Sequence, residues 1–236
     1  MNQINFEKIK EAAIASLKEP GKGKKPLPKK ESKKYSTLYV FRHTQTYDNF
    51  HRIFSGRRES RLTPEGIKQA KELSQKLKDK KIDLFIISPL IRCKQTIKPI
   101  RKYHQKAKVL EEKLLLERDY GQLTGKSKLK LMREDFEKAV LYRRSYDVSP
   151  PGGESIKEVQ EKRVFPFCKK LEKELLQRKI NVAICCTNNT MRLIRMYFEG
   201  LSIEEMLTLE NPFADYAAYV IKNKVAQKGL QKTKKD

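Results

Sequence analysis

A histidine and two arginines stand close to the ends of predicted strands. The pair Arg42-His43 follows the β-branched and aromatic run Thr37 to Phe41, and Arg92 comes shortly after the apolar run Ile82 to Ile87. An imidazole can attack phosphorus, and guanidinium groups bind phosphate oxygens and offset the charge that builds on them. This set indicates phosphoryl transfer, although a histidine at a strand end is by itself weak support because many such residues are structural.

A carboxylate and a fourth polar segment complete the set. Glu117 lies in the polar stretch Leu116 to Gly121, and the polar run Thr187 to Arg192 follows the apolar run Asn181 to Cys186. A carboxyl group can exchange a proton with a substrate hydroxyl. Phosphoryl transfer depends mainly on positioning and on charge stabilisation, so a nucleophile, several arginines and one carboxylate are sufficient parts.

Strand and helix patterns alternate along the middle of the chain. Thr63-Pro64 has the residues of a helix start, an N-cap followed by proline at the first helical position. The strand runs are continuously apolar, which is typical of a parallel sheet covered by helices on both faces. The pattern predicts a three-layer α/β/α sandwich with a mostly parallel central sheet, in which ligands bind at the carboxyl ends of the strands. The predicted helices are 65–81, 91–103, 156–177 and 189–199, and the predicted strands are 37–41, 82–87, 109–110, 181–186 and 216–221.

The two ends of the chain differ from the middle in composition. Ile4 to Leu17 has the spacing of a short amphipathic helix, and Gly21 to Lys34 is rich in Gly, Pro and Lys. We therefore expect residues 1–34 to form an N-terminal helix and a basic flexible linker, and residues 35–221 to form the globular domain. Residues 222–236 are polar and basic, and we expect them to be a disordered tail.

The formal net charge of +24 could attract nucleic acid, a membrane surface or small anions. Lysines are spread over both ends and the predicted helix 65–81, without the interleaved aromatic residues of single-strand binding, so a nucleic-acid partner is not expected. The chain has no apolar run of about 18 residues and no secretory signal pattern. We expect a cytoplasmic protein with no membrane partner.

The cysteines and the two remaining histidines suggest no metal chemistry. Four cysteines at irregular spacing, without a CxxC pair or a His/Cys cluster, predict free, buried thiols rather than a disulfide scaffold or a zinc site. We expect His51 and His104 to lie at the surface.

Five strings resemble the histidine phosphatase superfamily in order and spacing. They are RHTQTYDN from Arg42, SGRRESRLTPEGIKQA from Ser55, SPLIRCKQT from Ser88, LLERDYGQLTG from Leu115 and PPGGES from Pro150. The resemblance covers about Thr37 to Ile221. Within the superfamily, YRRSYDV from Tyr142 is similar to an insert of the 2,3-bisphosphoglycerate-dependent phosphoglycerate mutases, whereas PPGGES is more usual in the phosphatase branches.

The resemblance implies a role for each matched residue. His43 is implied to be the nucleophile that forms a phosphohistidine, Arg42 and Arg92 to hold the equatorial oxygens, and Glu117 to be the general acid and base. Arg143 and Arg144 are implied to hold the substrate carboxylate and a second phosphate from a lid-like insert. The residues implied to bind substrate are Asn49, Ser55, Gly56, Tyr120, Lys128, Arg143 and Arg144, to which we add Asn188 and Asn189.

Simpler structural roles stay open for several of these residues. Glu117 could pair with Arg118 or a lysine, Ser55-Gly56 could form an ordinary turn, and Arg143-Arg144 could be a solvated basic stretch. The assignment of Lys128 could be wrong by one helical turn, since other lysines lie nearby.

One position departs from the family pattern. Thr187 stands where the family has a second histidine, whose loss would remove a charged donor and lower the rate by about 10²–10³-fold. The resemblance still implies a glycolytic phosphoglycerate mutase that interconverts 2- and 3-phosphoglycerate. It implies 2,3-bisphosphoglycerate as the phosphoryl primer, no metal, and a homodimer as an ordinary state. The alternatives are a phosphomonoesterase of the same superfamily and a degenerate protein that binds phosphoesters without turnover.

Overall fold

The computed structural model describes residues 5–21 and 26–223, and within them five strands form a single sheet in the order β3-β2-β4-β1-β5. The strand β5 pairs antiparallel with β1, and the other neighbours pair in parallel. The mostly parallel sheet predicted from the sequence is therefore confirmed. The strands are β1 Ser36–Arg42, β2 Leu84–Ile87, β3 Lys108–Glu111, β4 Val182–Cys186 and β5 Ala217–Ile221.

Helices cover both faces of this sheet. Every residue of β1 and β4 is buried, because apolar side chains leave both faces of these strands and enter two separate core clusters. The helices are α1 Phe6–Lys18, α2 Tyr47–Phe50, α3 Pro64–Leu77, α4 Ile91–Arg101, α5 Lys128–Glu134, α6 Phe136–Arg144, α7 Ile156–Val159, α8 Phe165–Gln177, α9 Asn188–Glu199 and α10 Ile203–Thr208.

The sheet register brings three strand ends to one edge. Arg42 lies opposite Cys186, and Ile87 lies opposite Cys185. The backbone N–H of His43 donates to the carbonyl of Cys186 at 2.9 Å, and the segments that follow β1, β2 and β4 therefore leave the sheet side by side.

The helix α3 begins as predicted and lies very close to the segment that follows β1. The Thr63 hydroxyl accepts a hydrogen bond from the Gly66 N–H at 2.9 Å, which caps the helix. A Cβ on Gly66 would lie 2.0 Å from the carbonyl oxygen of Gln45, two residues after His43. Glycine is therefore required here for the helix to approach the segment that carries the histidine.

The predicted helix 156–177 is divided by a wider turn. Between α7 and α8, residues Gln160–Val164 form a π-helical turn that ends two residues before Pro166. Because proline has no backbone N–H, it cannot continue the regular α-helical bonding, and a wider turn accommodates it.

Residues 26–34 differ from the flexible linker predicted for this region. Leu27 is buried. The N–H of Lys30 donates to the carbonyl of Ala218 at 3.0 Å, and the N–H of Ala218 donates to the carbonyl of Pro28 at 2.7 Å. This segment satisfies backbone groups at the outer edge of β5, which composition alone does not indicate. The rest of the predicted linker at 22–25, and the predicted tail from 224 onward, lie outside the described residues.

The thiol prediction is confirmed, and one histidine prediction is wrong. All four cysteines are free and buried. His51 is exposed as expected, but His104 is buried, with Nε2 3.0 Å from the carbonyl of Leu77 and its ring against Phe85. In the part of the chain that the structure describes, no helix is both long and apolar enough to span a bilayer.

Candidate active site

A cavity of about 90 Å³ opens at the carboxyl edge of the sheet. All the predicted site residues except Thr187 line it, so the folded chain brings together residues that are far apart in sequence. They are Arg42, His43, Asn49, Ser55, Gly56, Arg92, Glu117, Tyr120, Lys128, Arg143, Arg144, Asn188 and Asn189.

His43 is placed and protonated as a nucleophile requires. Its Nδ1 lies 2.8 Å from the carbonyl oxygen of Thr44, and because a carbonyl only accepts, Nδ1 must carry the proton. The lone pair is then on Nε2. Burial, followed by the charges of Arg92 and Arg42, lowers the pKa of His43 well below its usual value. The imidazole is therefore neutral and nucleophilic at neutral pH.

Two buried arginines flank the histidine. The guanidinium of Arg92 donates to the carbonyl oxygens of Arg58 at 2.9 Å and Gly56 at 2.7 Å, which fixes its plane. Arg42 donates to Glu210 at 2.9 Å and to the carbonyl of Asn211 at 3.0 Å. In each of these two arginines the buried Nε–H has no partner among the described residues. Both guanidinium groups line the cavity beside His43, where they can bind the oxygens of a phosphoryl group.

Glu210 joins three of the arginines that line the cavity. Its carboxylate lies 2.8 Å from Arg192, 2.9 Å from Arg42 and 3.2 Å from Arg144. Burial alone would raise the pKa of this carboxyl, but the charges of Arg192, Arg42 and Arg144 outweigh it and lower the pKa of Glu210 to about 2. The carboxylate is ionised at neutral pH and offsets part of the positive charge of the site.

Glu117 lies in the wall of the cavity and is held by backbone rather than by an opposing charge. Its Oε1 accepts a hydrogen bond from the N–H of Arg118 at 2.8 Å. The Arg118 guanidinium instead donates to the carbonyl oxygens of Glu154 and Val148. The simple alternative, an ion pair between Glu117 and Arg118, is therefore not what the structure contains.

The PPGGES string supports the loop that carries Glu117. The carboxylate of Glu154 accepts from the N–H of Asp119 at 2.9 Å and forms ion pairs with Arg57 and Arg163 at 2.7 Å each. Glu154 therefore lies next to the cavity wall rather than in it.

Lys128 and Tyr120 occupy one side of the cavity. The Lys128 ammonium is 5.6 Å from the ring centre of Phe54, and burial, followed by the charge of Arg143, lowers the pKa of Lys128 to about 7. The hydroxyl of Tyr120 accepts a hydrogen bond from Asn189 at 3.2 Å. This side therefore offers an amine whose charge responds to a nearby anion, next to a fixed hydroxyl.

Arg143 and Arg144 are both buried, so they do not form a solvated basic stretch. Arg143 donates to the carbonyl of Ala13 at 3.0 Å and to the hydroxyl of Ser16 at 2.8 Å. Arg144 donates to the carbonyl of Leu207 at 2.7 Å. Burial lowers the pKa of Arg143 to about 10, which leaves its guanidinium charged at neutral pH.

Thr187 is the predicted residue that the structure does not bring to the cavity. It is fully buried, and its hydroxyl donates to the hydroxyl of Thr190 at 3.0 Å. The following residue, Asn188, does line the cavity, and its amide lies 3.3 Å from both oxygens of Glu210.

Six residues of the cavity were not predicted from the sequence: Ser16, Leu17, Pro20, Arg52, Arg192 and Glu210. Arg192 ends the polar run Thr187 to Arg192 that follows the predicted strand 181–186, so its charge was a usable signal. Arg52 has a positive φ of 58°, which is uncommon for a residue with a side chain and which sequence does not reveal. Ser16, Leu17 and Pro20 belong to the N-terminal segment, which carries none of the family strings.

The chemistry available at this site is that of arginines, one imidazole and two carboxylates. Within residues 5–21 and 26–223, no three His, Cys, Asp or Glu side chains are grouped so that they could hold a metal ion. The positive charge that faces His43 comes from guanidinium groups, which suit a phosphoryl group in both charge and geometry.

Comparisons with known proteins identify relatives of two kinds. A family model described as the histidine phosphatase superfamily (branch 1) matches residues 38–228. The chain is 36% identical over 179 residues to a 2,3-bisphosphoglycerate-dependent phosphoglycerate mutase of Mesorhizobium japonicum, covering 74% of this chain and 86% of the relative. The same named enzyme of Parvibaculum lavamentivorans is 36% identical over 180 residues, covering 73% and 84%.

The similar solved structures carry phosphatase names. The alpha-ribazole phosphatase of Shigella flexneri has a TM-score of 0.68 and 25% identity, covering 77% of this chain and 89% of that one. A mycobacterial glucosyl-3-phosphoglycerate phosphatase has a TM-score of 0.65 and 17% identity, covering 78% and 96%, and this likeness shows the fold alone.

Proposed function

Because the chain belongs to the histidine phosphatase superfamily, we propose that it is a phosphoglycerate mutase that transfers a phosphoryl group through a phosphohistidine on His43. Its substrates are 2- and 3-phosphoglycerate, with 2,3-bisphosphoglycerate as primer. A cytoplasmic location, a role in glycolysis and a homodimeric state belong to the same proposal. The observation that supports it most is a neutral imidazole, with Nδ1 bonded to Thr44, between two buried arginines that line the same cavity.

The proposed reaction needs only groups that line the cavity. The Nε2 of His43 attacks phosphorus, the P–N bond forms, and the P–O bond to the substrate breaks. Glu117 gives a proton to the leaving oxygen, and Arg42 and Arg92 offset the charge on the phosphoryl oxygens. In the second half, Glu117 accepts the proton of an incoming hydroxyl, whose oxygen attacks the phosphohistidine and frees His43.

Mutase and phosphatase differ in which oxygen attacks the phosphohistidine. A glycerate hydroxyl gives isomerisation, and water gives inorganic phosphate. The identity to two named mutases favours isomerisation. The phosphatase names of the similar structures support hydrolysis as the second candidate.

The proposed activity is lower than that of a site with two histidines. The hydroxyl of Thr187 is bonded to Thr190, so it does not supply the missing donor in this arrangement. The loss of one transition-state donor costs about 10²–10³-fold in rate. Asn188, which lines the cavity beside Glu210, is the nearest polar replacement.

A coupled assay of 3-phosphoglycerate conversion, with and without 2,3-bisphosphoglycerate, tests the proposal. We expect primer-dependent formation of 2-phosphoglycerate and an acid-labile, base-stable phosphoenzyme, both abolished in His43→Ala. Release of inorganic phosphate alone would assign the chain to the phosphatases. Labelling that survives in His43→Ala would rule out this histidine as the nucleophile.

A further inference from the structure

Helix α1 lies outside the region that matches the family model, which begins at residue 38. Ile9, Ala13 and Leu17 are spaced four residues apart on one face of this helix, and all three are buried. The helix packs on α6 and α10, and an ion pair of 2.8 Å between Lys8 and Glu204 holds its outer end. An amphipathic helix that buries this whole stripe is a fixed part of the folded domain.

The C-terminal end of α1 is bonded to arginines of the candidate active site. The carbonyl of Ala13 and the hydroxyl of Ser16 accept hydrogen bonds from Arg143 at 3.0 and 2.8 Å. The carbonyl of Leu17 accepts from Nε of Arg52 at 2.8 Å. A helix C-terminus presents unpaired carbonyls and a partial negative charge, which complements these guanidinium groups.

The same helix end closes one side of the cavity that contains His43. Ser16, Leu17 and Pro20, which we call the cover, line that cavity. The N–H of the next residue, Gly21, donates to Glu210 at 3.3 Å, which connects the cover to the carboxylate that joins three arginines of the cavity. The cavity volume of about 90 Å³ lies well below the roughly 300–1,000 Å³ of sites for drug-sized ligands, so it suits a phosphorylated two- or three-carbon acid.

We propose that the cover determines substrate size at the His43 site. The side chain of Leu17 occupies space that a larger phosphoester would need, and Ser16 fixes the guanidinium of Arg143 at the edge of the remaining volume. Phosphorylated two- and three-carbon acids are accepted, and aryl, sugar or nucleotide phosphoesters are rejected. The inference rests on the proposed function for the phosphoryl site, but not on which small acid is the natural substrate.

The test compares the binding of two phosphoesters, phosphoglycolate and 1-naphthyl phosphate, to the full-length protein by titration calorimetry. The variant Leu17→Ala shortens the cover, and Lys18→Ala is a matched truncation at the adjacent exposed position. We expect Leu17→Ala to lower the Kd of 1-naphthyl phosphate about 10-fold with little change for phosphoglycolate, the scale of discrimination by apolar pocket volume. Lys18→Ala should leave the ratio of the two Kd values unchanged.

A second variant tests the helix as a whole. Ile9→Asp places a charge in the buried stripe and should release α1 from the domain. Limited proteolysis within residues 6–18 would show that release, and cooperative thermal unfolding would confirm that the domain remains folded. The Kd ratio should then shift at least as far as in Leu17→Ala. An unchanged ratio in Leu17→Ala and in the released Ile9→Asp protein would overturn the inference.

Binding and turnover separate the two proposals. If the Kd ratio shifts as expected but neither ester nor 3-phosphoglycerate phosphorylates His43, the proposed function fails while the role of the cover stands. If 3-phosphoglycerate is converted but the ratio does not shift, the inference fails alone.

Discussion

Replacing Glu210 by glutamine tests whether the three arginines bonded to this carboxylate, which we call the arginine cluster, can bind a substrate anion in its place. The carboxylate pairs with Arg42, Arg144 and Arg192 at 2.8–3.2 Å. The lowering of its pKa from 4.5 to about 2 corresponds to roughly 3 kcal/mol of stability at pH 7. Because the pKa is lower in the folded state, this contribution is present above about pH 4.5 and is lost as pH falls toward 2.

Thermal unfolding with and without inorganic phosphate is the assay. For a chain of this size, a loss of about 3 kcal/mol lowers Tm by roughly 6–12 °C. In Glu210→Gln the arginines lack their internal anion, so phosphate should bind more tightly than in the wild type. Phosphate at about 100 times its Kd would restore some 2.7 kcal/mol, most of the loss.

Glu199→Gln is the matched control. It removes a carboxylate bonded twice to Arg195, at 2.8 and 3.2 Å, away from the cavity. We expect it to lower Tm as well, with phosphate raising its Tm no more than it raises that of the wild type. If phosphate raises Tm equally in the wild type and in both variants, Glu210 does not compete with the bound anion, and the reasoning about the cluster is refuted.

Three further outcomes follow from groups near the site. Since burial, Arg92 and Arg42 lower the pKa of His43, the acidic midpoint at which single-turnover phosphoenzyme formation is lost should lie well below 6.5, and Arg92→Gln should move it upward; a wild-type midpoint near 6.5 would contradict this. Gly66→Ala should lower both stability and turnover despite a helix-propensity gain of about 1 kcal/mol, because the new methyl would strike the carbonyl of Gln45; unchanged denaturant unfolding would exclude that clash. The four buried cysteines should not react with Ellman's reagent until the chain unfolds, and a rapid native reaction would show that one is accessible.

The fold was predictable because its strongest signals are local. The continuous apolar runs at β1 and β4 predict buried parallel strands, and Thr63-Pro64 marks the start of α3. The missed helices α2, α5, α6 and α10 are short, at four to nine residues, so tertiary contacts rather than periodicity determine them.

The candidate site was predictable mainly where the family strings extend. They led to residues such as His43 and Glu117, which do line one cavity. They could not indicate that Ser16 would reach the cavity, because its contact with Arg143 joins residues 127 positions apart. Nor could they show that the hydroxyl of Thr187 is bonded to Thr190, which depends on how one helix turn packs.

The contacts of residues 28–30 with β5 affect the order in which a nascent chain can complete its fold. Lys29 donates to the carbonyl of Tyr216, a residue 187 positions later in the chain. At about 5–20 residues per second, a ribosome needs roughly 10–40 s to make the intervening chain. Residues 28–30 are therefore made early but can pair with β5 only after that strand has been made, so the outer edge of the sheet is covered in a late step of folding.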